Sequence, residues 1–275
     1  MDVTITTLIE NTANAGFIGE WGLSILIEVD DWRILLDTGP GISTVHNAQI
    51  LGIDFSTIDR IVLSHGHYDH TGGLRYILRG TDGLDIISHP AVWESKYAVR
   101  ENVAKYIGIP FCREELESLG ARFIMNRDPV WISDNIVTSG EIPLITDYEE
   151  IDQILFVKKD GKLTPDHVPD DLSLAVKTEV GLIIILGCAH RGMINTIRHF
   201  RKITGDKRVY CVVGGTHLIA SSHERLTRSV IDMKKIGVQK LGVSHCTGFE
   251  ASAWLAKELG NMFFLNNAGS RFKLL

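Results

Sequence analysis

The sequence lacks the features that mark secreted, membrane-spanning and nucleic-acid-binding proteins. Its 275 residues include 4 cysteines and no C-x-x-C pair, so we expect reduced thiols and a cytoplasmic protein. No apolar run reaches the length of about 18 residues that spans a membrane, and the N-terminus has no cationic stretch followed by an apolar one. Since 34 acidic residues outnumber 28 basic ones, no basic surface for nucleic acid is indicated. These absences leave a small-molecule substrate as the expected partner.

What remains is the composition of an ordinary globular protein, with 44% hydrophobic and 23% charged residues. A chain of this length can bury a substantial core. No linker and no short-period repeat is evident. We therefore predict a single domain over residues 1–275.

One short stretch, SHGHYDHTGG, carries four side chains that bind metals, directly after an apolar run at residues 61–63. The alternate residues His65 and His67 can converge on one ion, whereas Asp69 and His70 suit a second ion nearby. Imidazole and carboxylate ligands together favour zinc, iron or manganese, and the lack of a thiolate argues against a closed structural zinc site. A solvated loop with a chance cluster of histidines is the alternative, and the density of ligand-type residues disfavours it.

Three later strands are also predicted to end in loops that carry a histidine. These histidines are His190, His217 and His245. Loops at strand ends on one edge of a layered fold are where sites are commonly built. Strands followed by alternating βα units suit two facing sheets with helices outside, and the histidines would then meet along one edge.

Other segments give weaker signals. Residues 92–119 show a mixed-charge, helical pattern, and residues 141–171 are acidic and lack periodicity, which predicts a long excursion over the surface. Ser43 is the predicted N-cap of a short helix. Five cations could contact a phosphate, although each is individually better explained as a solvated surface charge: Arg75, Lys96, Arg100, Lys105 and Arg191.

These motifs resemble the metallo-β-lactamase superfamily of metal-dependent hydrolases. The matching elements, in order, are LDTG at residues 36–39, SHGHYDHTGG, GCAHRGMINT, GGTHL and SHCTG. Together with GLSILIE and PDDLSLAVKT, they are similar to a branch that includes dihydropterin-methyl-ribofuranosyl-aminobenzene phosphate synthases. The likeness covers nearly the whole chain.

The resemblance implies an α/β layered fold, an αββα sandwich of two mixed β-sheets flanked by helices. It also implies six metal ligands: His65, His67 and His190 for a first ion, and Asp69, His70 and His245 for a second. Asp37 would orient one of the ligand histidines through a hydrogen bond. Residues 92–119 would form a helical insertion near the active site and one wall of its pocket.

The chain departs from the superfamily at one position. Many members place a bridging aspartate after the strand between the last two ligand histidines, and residues 214–217 of this chain, GGTH, contain no carboxylate. Either the two ions share only a water or hydroxide, or His217 takes over as a metal ligand or a substrate contact. We expect Asp69 and His217 to act in catalysis.

The resulting hypothesis is a metal-dependent hydrolase, or a phosphoryl or pterin transferase, that uses hydroxide held by two divalent ions. Zinc is the expected metal, with iron and manganese as alternatives. The substrate would be a phosphorylated small molecule such as a pterin or a cyclic phosphodiester. Flavodiiron-type redox chemistry is disfavoured, because those relatives carry glutamate at the position of His67. The alternative is a non-catalytic, metal-bound ligand sensor, against which the intact motif counts.

Overall fold

The computed structural model of the protein describes residues 1–274, which form two compact units. Unit 1 comprises Met1–Asn126, Asp152–Asp170 and the described residues from Asn267 onward. Unit 2 comprises Arg127–Ile151 and Asp171–Asn266. The expectation of a single domain over residues 1–275 stays a prediction.

The elements follow the chain in this order. The strands are β1 (Val3–Ile9), β2 (Ser24–Val29), β3 (Trp32–Leu36), β4 (Arg60–Val62), β5 (Leu84–Ser88), β6 (Ser95–Arg100), β7 (Val103–Tyr106), β8 (Ala121–Met125), β9 (Trp131–Ser133), β10 (Ile136–Thr138), β11 (Leu155–Lys159), β12 (Lys162–Pro165), β13 (Ser173–Thr178), β14 (Gly181–Leu186), β15 (Val209–Gly215), β16 (Lys240–Ser244), β17 (Phe263–Leu265) and β18 (Arg271–Leu274). The α-helices are α1 (Ile42–Ile50), α2 (Tyr68–Thr71), α3 (Leu74–Leu78), α4 (Arg113–Ser118), α5 (Met193–Thr204), α6 (His223–Ile236) and α7 (Phe249–Leu259).

Unit 1 is built on a mixed seven-stranded sheet in the order β18-β1-β2-β3-β4-β5-β8. Its strands are rich in β-branched and aliphatic residues, which suit a pleated, buried surface. Strands β3, β4, β5 and β8 are parallel neighbours, so their carboxyl ends share one edge of the sheet. The chain leaves β3 towards Asp37 and leaves β4 towards Ser64, which brings these two residues to the same edge.

Helices cover one face of this sheet. Leu74 and Ile77 of α3 are fully buried in a core cluster with Leu35 of β3 and Ile61 of β4. Burying a leucine or isoleucine side chain contributes about 1.5–3 kcal/mol, so a few such residues fix this short helix against the sheet. The helix that follows the metal motif is therefore fixed by packing against the sheet.

The prediction of a helical insertion over residues 92–119 is wrong for most of that segment. Only α4 and a short 3-10 turn at Pro90–Trp93 are helical, whereas β6 and β7 form a hairpin. Positive φ angles at Glu101 and Asn102 give the hairpin turn the twist that two-residue connections require. The hairpin belongs to a separate antiparallel sheet of unit 1, ordered β12-β11-β6-β7.

The predicted surface excursion over residues 141–171 is also wrong in part. Its second half contains the hairpin of β11 and β12, within the same small sheet. Its first half includes Glu149, a buried carboxylate in unit 2 that accepts hydrogen bonds from the backbone N–H groups of Ile194 and Asn195, both at 2.8 Å. Glu149 thus caps the first turn of α5, a role that needs no periodicity in its own segment.

Unit 2 contains a second mixed seven-stranded sheet, ordered β17-β16-β15-β14-β13-β10-β9, in which β14 to β17 are parallel. Helices α5, α6 and α7 bury their apolar sides against it, with Phe200, Met233 and Leu255 in one cluster with strand residues. Ser222 caps the start of α6, and Gly237 ends it in the left-handed conformation.

The mixed α/β character, with sheets flanked by helices, confirms the predicted fold class. The predicted N-cap of α1 is wrong: the N-cap is Gly41, and the Ser43 hydroxyl instead hydrogen-bonds to Glu20. Across residues 1–274, no helix combines the length and the apolar character that crossing a membrane requires.

Candidate metal centre

The metal motif of unit 1 follows β4 as a tight loop that leads into α2. His65 and His70 are fully buried, and His67 and Asp69 are nearly so. Nε2 of His65 and Nδ1 of His67 lie 2.9 Å apart, with the ring centroids at 4.4 Å. Two imidazole nitrogens at this separation can serve one cation with the bond lengths of about 2.0–2.1 Å that zinc makes to histidine.

Asp37 joins the first turn after β3 to this loop. One carboxylate oxygen accepts the backbone N–H of Ser64 at 2.7 Å, and the other accepts the Ser64 hydroxyl and lies 2.6 Å from Nδ1 of His70. The Ser64 hydroxyl also lies 2.8 Å from Nδ1 of His65. These contacts engage the Nδ1 atoms of both rings. Such hydrogen bonds set the tautomer and orientation of histidines that ligate metals through Nε2.

The electrostatics of the loop keep His67 neutral. Burial lowers the pKa of His67 to about 3, and the neighbouring Asp69 opposes that shift without cancelling it. A neutral imidazole offers a lone pair to a cation, whereas the protonated ring cannot ligate. His67 is thus in the protonation state that metal binding requires.

Unit 2 gathers a second set of candidate ligands at the ends of β14 and β15. The ligand atoms of Cys188, His190 and His217 all lie within 4.8 Å of one another, and the rings of His190 and His217 have centroids 4.2 Å apart. Three residues here adopt the left-handed conformation that costs a non-glycine residue about 1–3 kcal/mol: Ala189, His217 and His245. Asp37 of unit 1 has the same left-handed backbone conformation. Backbone strain therefore lies at three predicted site residues, Asp37, His217 and His245, and at Ala189, the residue before His190.

Close packing explains why residues 214 and 215 are glycines and carry no bridging aspartate. A Cβ atom on Gly214 would lie 2.2 Å from the carbonyl oxygen of Leu186, and one on Gly215 would lie 2.4 Å from that of Gly187. Neither position has room for a side chain. His217 is the next residue with a ligand-type side chain, and its Nδ1 is buried without a hydrogen-bond partner among the described residues.

Two cysteines lie among these residues. Cys188, His245 and Cys246 form another group with ligand atoms within 4.8 Å. Burial would raise the pKa of Cys246, but hydrogen bonds with Cys188 and His217 and the nearby histidines lower it well below the usual value. Both cysteines are buried. Their contacts also bring thiols next to the histidines of unit 2.

The donor set fits a divalent cation. Unit 1 holds His65, His67, Asp69 and His70 in one buried loop, and unit 2 holds His190, His217 and His245 at the ends of parallel strands. Imidazoles with one carboxylate suit zinc, iron or manganese, and the sulfur atoms in unit 2 favour the softer end of that range. The division of these residues between two ions stays a prediction.

Sequence reasoning missed a buried charge cluster in unit 1. The ammonium group of Lys96 is fully buried and lies 2.9 Å from Asp166 and 2.8 Å from Asp170. Asp170 also accepts the backbone N–H of Gly66, at 2.8 Å, inside the metal motif. The PDD motif was the one available signal, because these partners are far apart in the sequence.

The cations predicted to contact a phosphate differ in whether other groups of the protein already bind them. Arg75 makes a paired interaction with Glu115, through Nε at 2.5 Å and Nη2 at 2.9 Å. The ammonium group of Lys96 forms ion pairs with Asp166 and Asp170. Arg225 of unit 2, which sequence reasoning did not select, donates through Nη1 to the carbonyl oxygen of Glu150, and its Nε and Nη2 are buried without a partner among the described residues.

These features define the class of protein. A family model described as the metallo-β-lactamase superfamily matches residues 22–245. The chain belongs to the metallo-β-lactamase superfamily. That fold implies the binding of divalent metal, usually zinc.

Two curated relatives and one solved structure cover nearly the whole chain. The 7,8-dihydropterin-6-methyl-4-(β-D-ribofuranosyl)-aminobenzene-5′-phosphate synthase of Methanocaldococcus jannaschii is 36% identical over 290 residues, covering 99% of this chain and 97% of that protein. An uncharacterized protein of the same organism is 35% identical over 262 residues, covering 94% and 96%. A metal-dependent hydrolase of the β-lactamase superfamily matches with a TM-score of 0.86 and 29% identity, covering 99% of both chains. These similarities support an enzyme.

Proposed function

We propose that this chain is a metal-dependent hydrolase, or a phosphoryl or pterin transferase, that acts on a phosphorylated small molecule. His65, His67 and His190 would bind one divalent cation, and Asp69, His70 and His245 would bind another. Zinc is the proposed metal. Bound cations of this kind supply Lewis acidity to a phosphoryl or carbonyl oxygen and lower the pKa of a shared water.

One observation carries the proposal. Nε2 of His65 and Nδ1 of His67 converge to 2.9 Å inside a buried loop, where the Ser64 hydroxyl engages the other nitrogen of His65. Two imidazole nitrogens at this separation can ligate one cation with ordinary bond lengths. The match to the metallo-β-lactamase superfamily over residues 22–245 supports this assignment.

The chain's own residues would orient the reactants. The Asp69 carboxylate is nearly buried, in the first turn of α2, and would accept a hydrogen bond from the attacking water while it ligates. His217 stands beside His190 with Nδ1 buried and without a partner among the described residues. In this position it would act as a further ligand or hold a proton for the leaving group.

The substrate class follows from the available cations and from the relatives. One curated relative, a synthase, is named for a phosphorylated, pterin-containing product. Because Arg75 and Lys96 are engaged by carboxylates, we assign the substrate's phosphate to Arg225. Its free Nε and Nη2 form the edge of the guanidinium that binds phosphate in a bidentate manner. The guanidinium charge also interacts electrostatically with Cys246, the residue that follows the proposed ligand His245.

The first test is the metal content of the protein purified without added metal, measured by mass spectrometry. We expect about two ions per chain in the wild type, following the two-metal arrangement. Asp69→Ala should fall towards one ion. His217→Ala separates the two roles: a loss of metal identifies a ligand, and retained metal with lost turnover identifies a substrate or proton contact. A wild type without bound divalent metal would contradict the proposal.

The second test is turnover on a panel of phosphodiesters, phosphomonoesters, lactones and phosphorylated pterins. We expect metal-dependent turnover that is lost in His67→Ala. Tight binding of a panel member without turnover would contradict an enzyme and support the sensor alternative.

A further inference from the structure

We propose that Lys96 and Asp170 are positioning residues for the metal site, and that Asp170, oriented by Lys96, holds Gly66 in place between His65 and His67. The inference rests on the proposed function, because it takes these two histidines as metal ligands. It assigns a role to a buried charge cluster outside the ligand set.

The contacts form a continuous chain from the cluster to the loop. The Lys96 ammonium group bonds to Asp166 at 2.9 Å and to Oδ1 of Asp170 at 2.8 Å, while Oδ2 of Asp170 accepts the N–H of Gly66 at 2.8 Å. All four residues belong to unit 1. Asp170 therefore links a fixed cation to the backbone midway between the two ligands.

The Lys96 side chain also limits the loop by contact. A Cβ atom on Gly66 would lie 3.1 Å from Cε of Lys96 and 2.1 Å from the carbonyl oxygen of Val92. The loop backbone is thus held on one side by a hydrogen bond and on the other by packing. A shift of Gly66 would move both neighbouring histidines with it.

A second link comes from the segment that contains Lys96. The N–H of Tyr68 donates to the carbonyl oxygen of Ile107, and the N–H of Ile107 donates to that of Lys96, both at 2.9 Å. The hairpin of β6 and β7 thus anchors the motif at Tyr68 as well as at Gly66. We expect this hairpin to support the metal loop, in addition to the pocket wall predicted from the sequence.

Simple stability does not account for this arrangement. Replacing a buried ion pair with apolar residues is often neutral or stabilising, since desolvation offsets the attraction between the charges. The three charged groups here are fully or almost fully buried, and one of them, the Asp170 carboxylate, also accepts a backbone N–H of the metal motif. Hydrogen bonds that orient metal ligands typically change metal affinity about 10–100-fold when removed.

The experiment compares Asp170→Ala with Asp166→Ala. Both variants remove one partner of the Lys96 ammonium group, and only Asp170→Ala removes the acceptor of the Gly66 N–H. The readouts are the dissociation constant for Zn²⁺, from competition with a chromophoric chelator, the absorption spectrum of the Co²⁺-loaded protein and the melting temperature of the metal-free protein.

We expect Asp170→Ala to weaken Zn²⁺ binding by about 10–100-fold and to change the Co²⁺ spectrum. Asp166→Ala should lower the melting temperature to a similar degree and leave the Zn²⁺ dissociation constant within about threefold of the wild type. Equal effects of the two variants on Zn²⁺ affinity, or none, would overturn the proposal. If Asp170→Ala does not fold, the same comparison is made in the Lys96→Met background, where the buried ammonium group is gone.

The wild type separates this proposal from the proposed function. Wild-type protein that binds no Zn²⁺ contradicts the metal site itself. Wild-type protein that binds Zn²⁺, combined with an Asp170→Ala variant of unchanged affinity, contradicts only the positioning role. Zn²⁺ binding that is weakened in Lys96→Met but retained in Lys96→Arg would support the need for a cation at this position.

Discussion

Oδ2 of Asp37 lies 2.6 Å from Nδ1 of His70, and both side chains are fully buried. Asp37 reaches this position through a left-handed backbone with φ of 58°, at the turn after β3. The same carboxylate accepts both hydrogen-bond donors of Ser64. One residue in the turn after β3 thereby contacts both the start of the metal loop and its last histidine.

The contact predicts a loss of metal in Asp37→Asn. All three groups around the carboxylate donate hydrogen bonds, and an amide nitrogen cannot accept one, so at least one contact is lost. We expect affinity for one of two bound ions to fall by about 10–100-fold, with the other ion retained. Stepwise removal of metal by a chelator, followed by mass spectrometry, measures this.

The control for Asp37→Asn is Asp54→Asn. Asp54 accepts the N–H of Ser56 in an exposed turn of the same unit. This variant should keep the metal content of the wild type. Equal retention of both ions by Asp37→Asn would show that Asp37 only closes the turn before Gly39.

Gly66→Ala should displace the backbone of the metal loop. The added Cβ would lie 2.1 Å from the carbonyl oxygen of Val92, so the backbone must move. Overpacking of this kind costs about 1–3 kcal/mol. We expect a lower melting temperature together with a loss of bound metal.

The matched variant for Gly66→Ala is Gly80→Ala, in which the Cβ would meet only an ordinary contact at 3.4 Å. Gly80→Ala should change neither property. Full metal content in a folded Gly66→Ala protein would mean that the loop can shift without affecting its ligands.

Arg225→Gln tests the proposed phosphate contact. Nε and Nη2 of Arg225 are buried without a partner among the described residues, so their loss should remove a charge-assisted, bidentate interaction with the substrate. We expect binding of inorganic phosphate and of phosphorylated substrates to weaken by about 10–150-fold, since hydrogen bonds to charged groups contribute about 1.5–3 kcal/mol. Isothermal titration calorimetry measures the binding of phosphate.

Arg228→Gln is the control on the same helix. Arg228 pairs with the exposed carboxylate of Asp147, so it is already engaged by protein. Its loss should leave phosphate binding unchanged. Equal weakening in both variants would indicate a general loss of positive charge and would argue against a specific site at Arg225.

The sequence predicted the parts of this protein that depend on local patterns. The apolar run of β14 and the capped, amphipathic α6 carry their own signals of period and boundary. The motif of His65 to His70 could be found because its ligand-type residues are adjacent in the chain. The contact of Asp37 with a histidine followed from the family resemblance.

The parts that depend on distant partners were not predictable in this way. Lys96 is separated from Asp166 by 70 residues and from Asp170 by 74, and no local pattern marks a lysine that will be buried. Composition indicates a solvated side chain for any single lysine. The strands β6 and β7 were missed for a related reason. β6 pairs with the distant β11 and β7 pairs with β6, and this pairing supplies stability that their own sequence does not show.

A last prediction concerns His199 on α5, away from the metal motif in the sequence. Its Nε2 lies 2.9 Å from the carbonyl oxygen of Ser139. Burial lowers the pKa of His199, and nearby Lys202 lowers it further, while the contact with Ser139 opposes the shift. In the unfolded chain the group titrates near its ordinary value of about 6.5.

The sign of the pH effect follows from these states. Below about pH 6.5 the unfolded chain takes up a proton that the folded chain binds less readily, so acid favours unfolding. The stability associated with neutral His199 is fully present above that pH and is lost as the pH falls towards the lower, folded-state pKa. His199→Gln carries no titrating group, so the difference in unfolding free energy between wild type and variant should shift against the wild type as the solution is acidified. Urea unfolding between pH 7.5 and pH 5.5, about one unit on either side of the ordinary histidine pKa, measures this difference. The exposed His46 provides the comparison: a pH-dependent difference of the same size in His46→Gln would attribute the effect to the loss of any histidine and not to the buried position of His199.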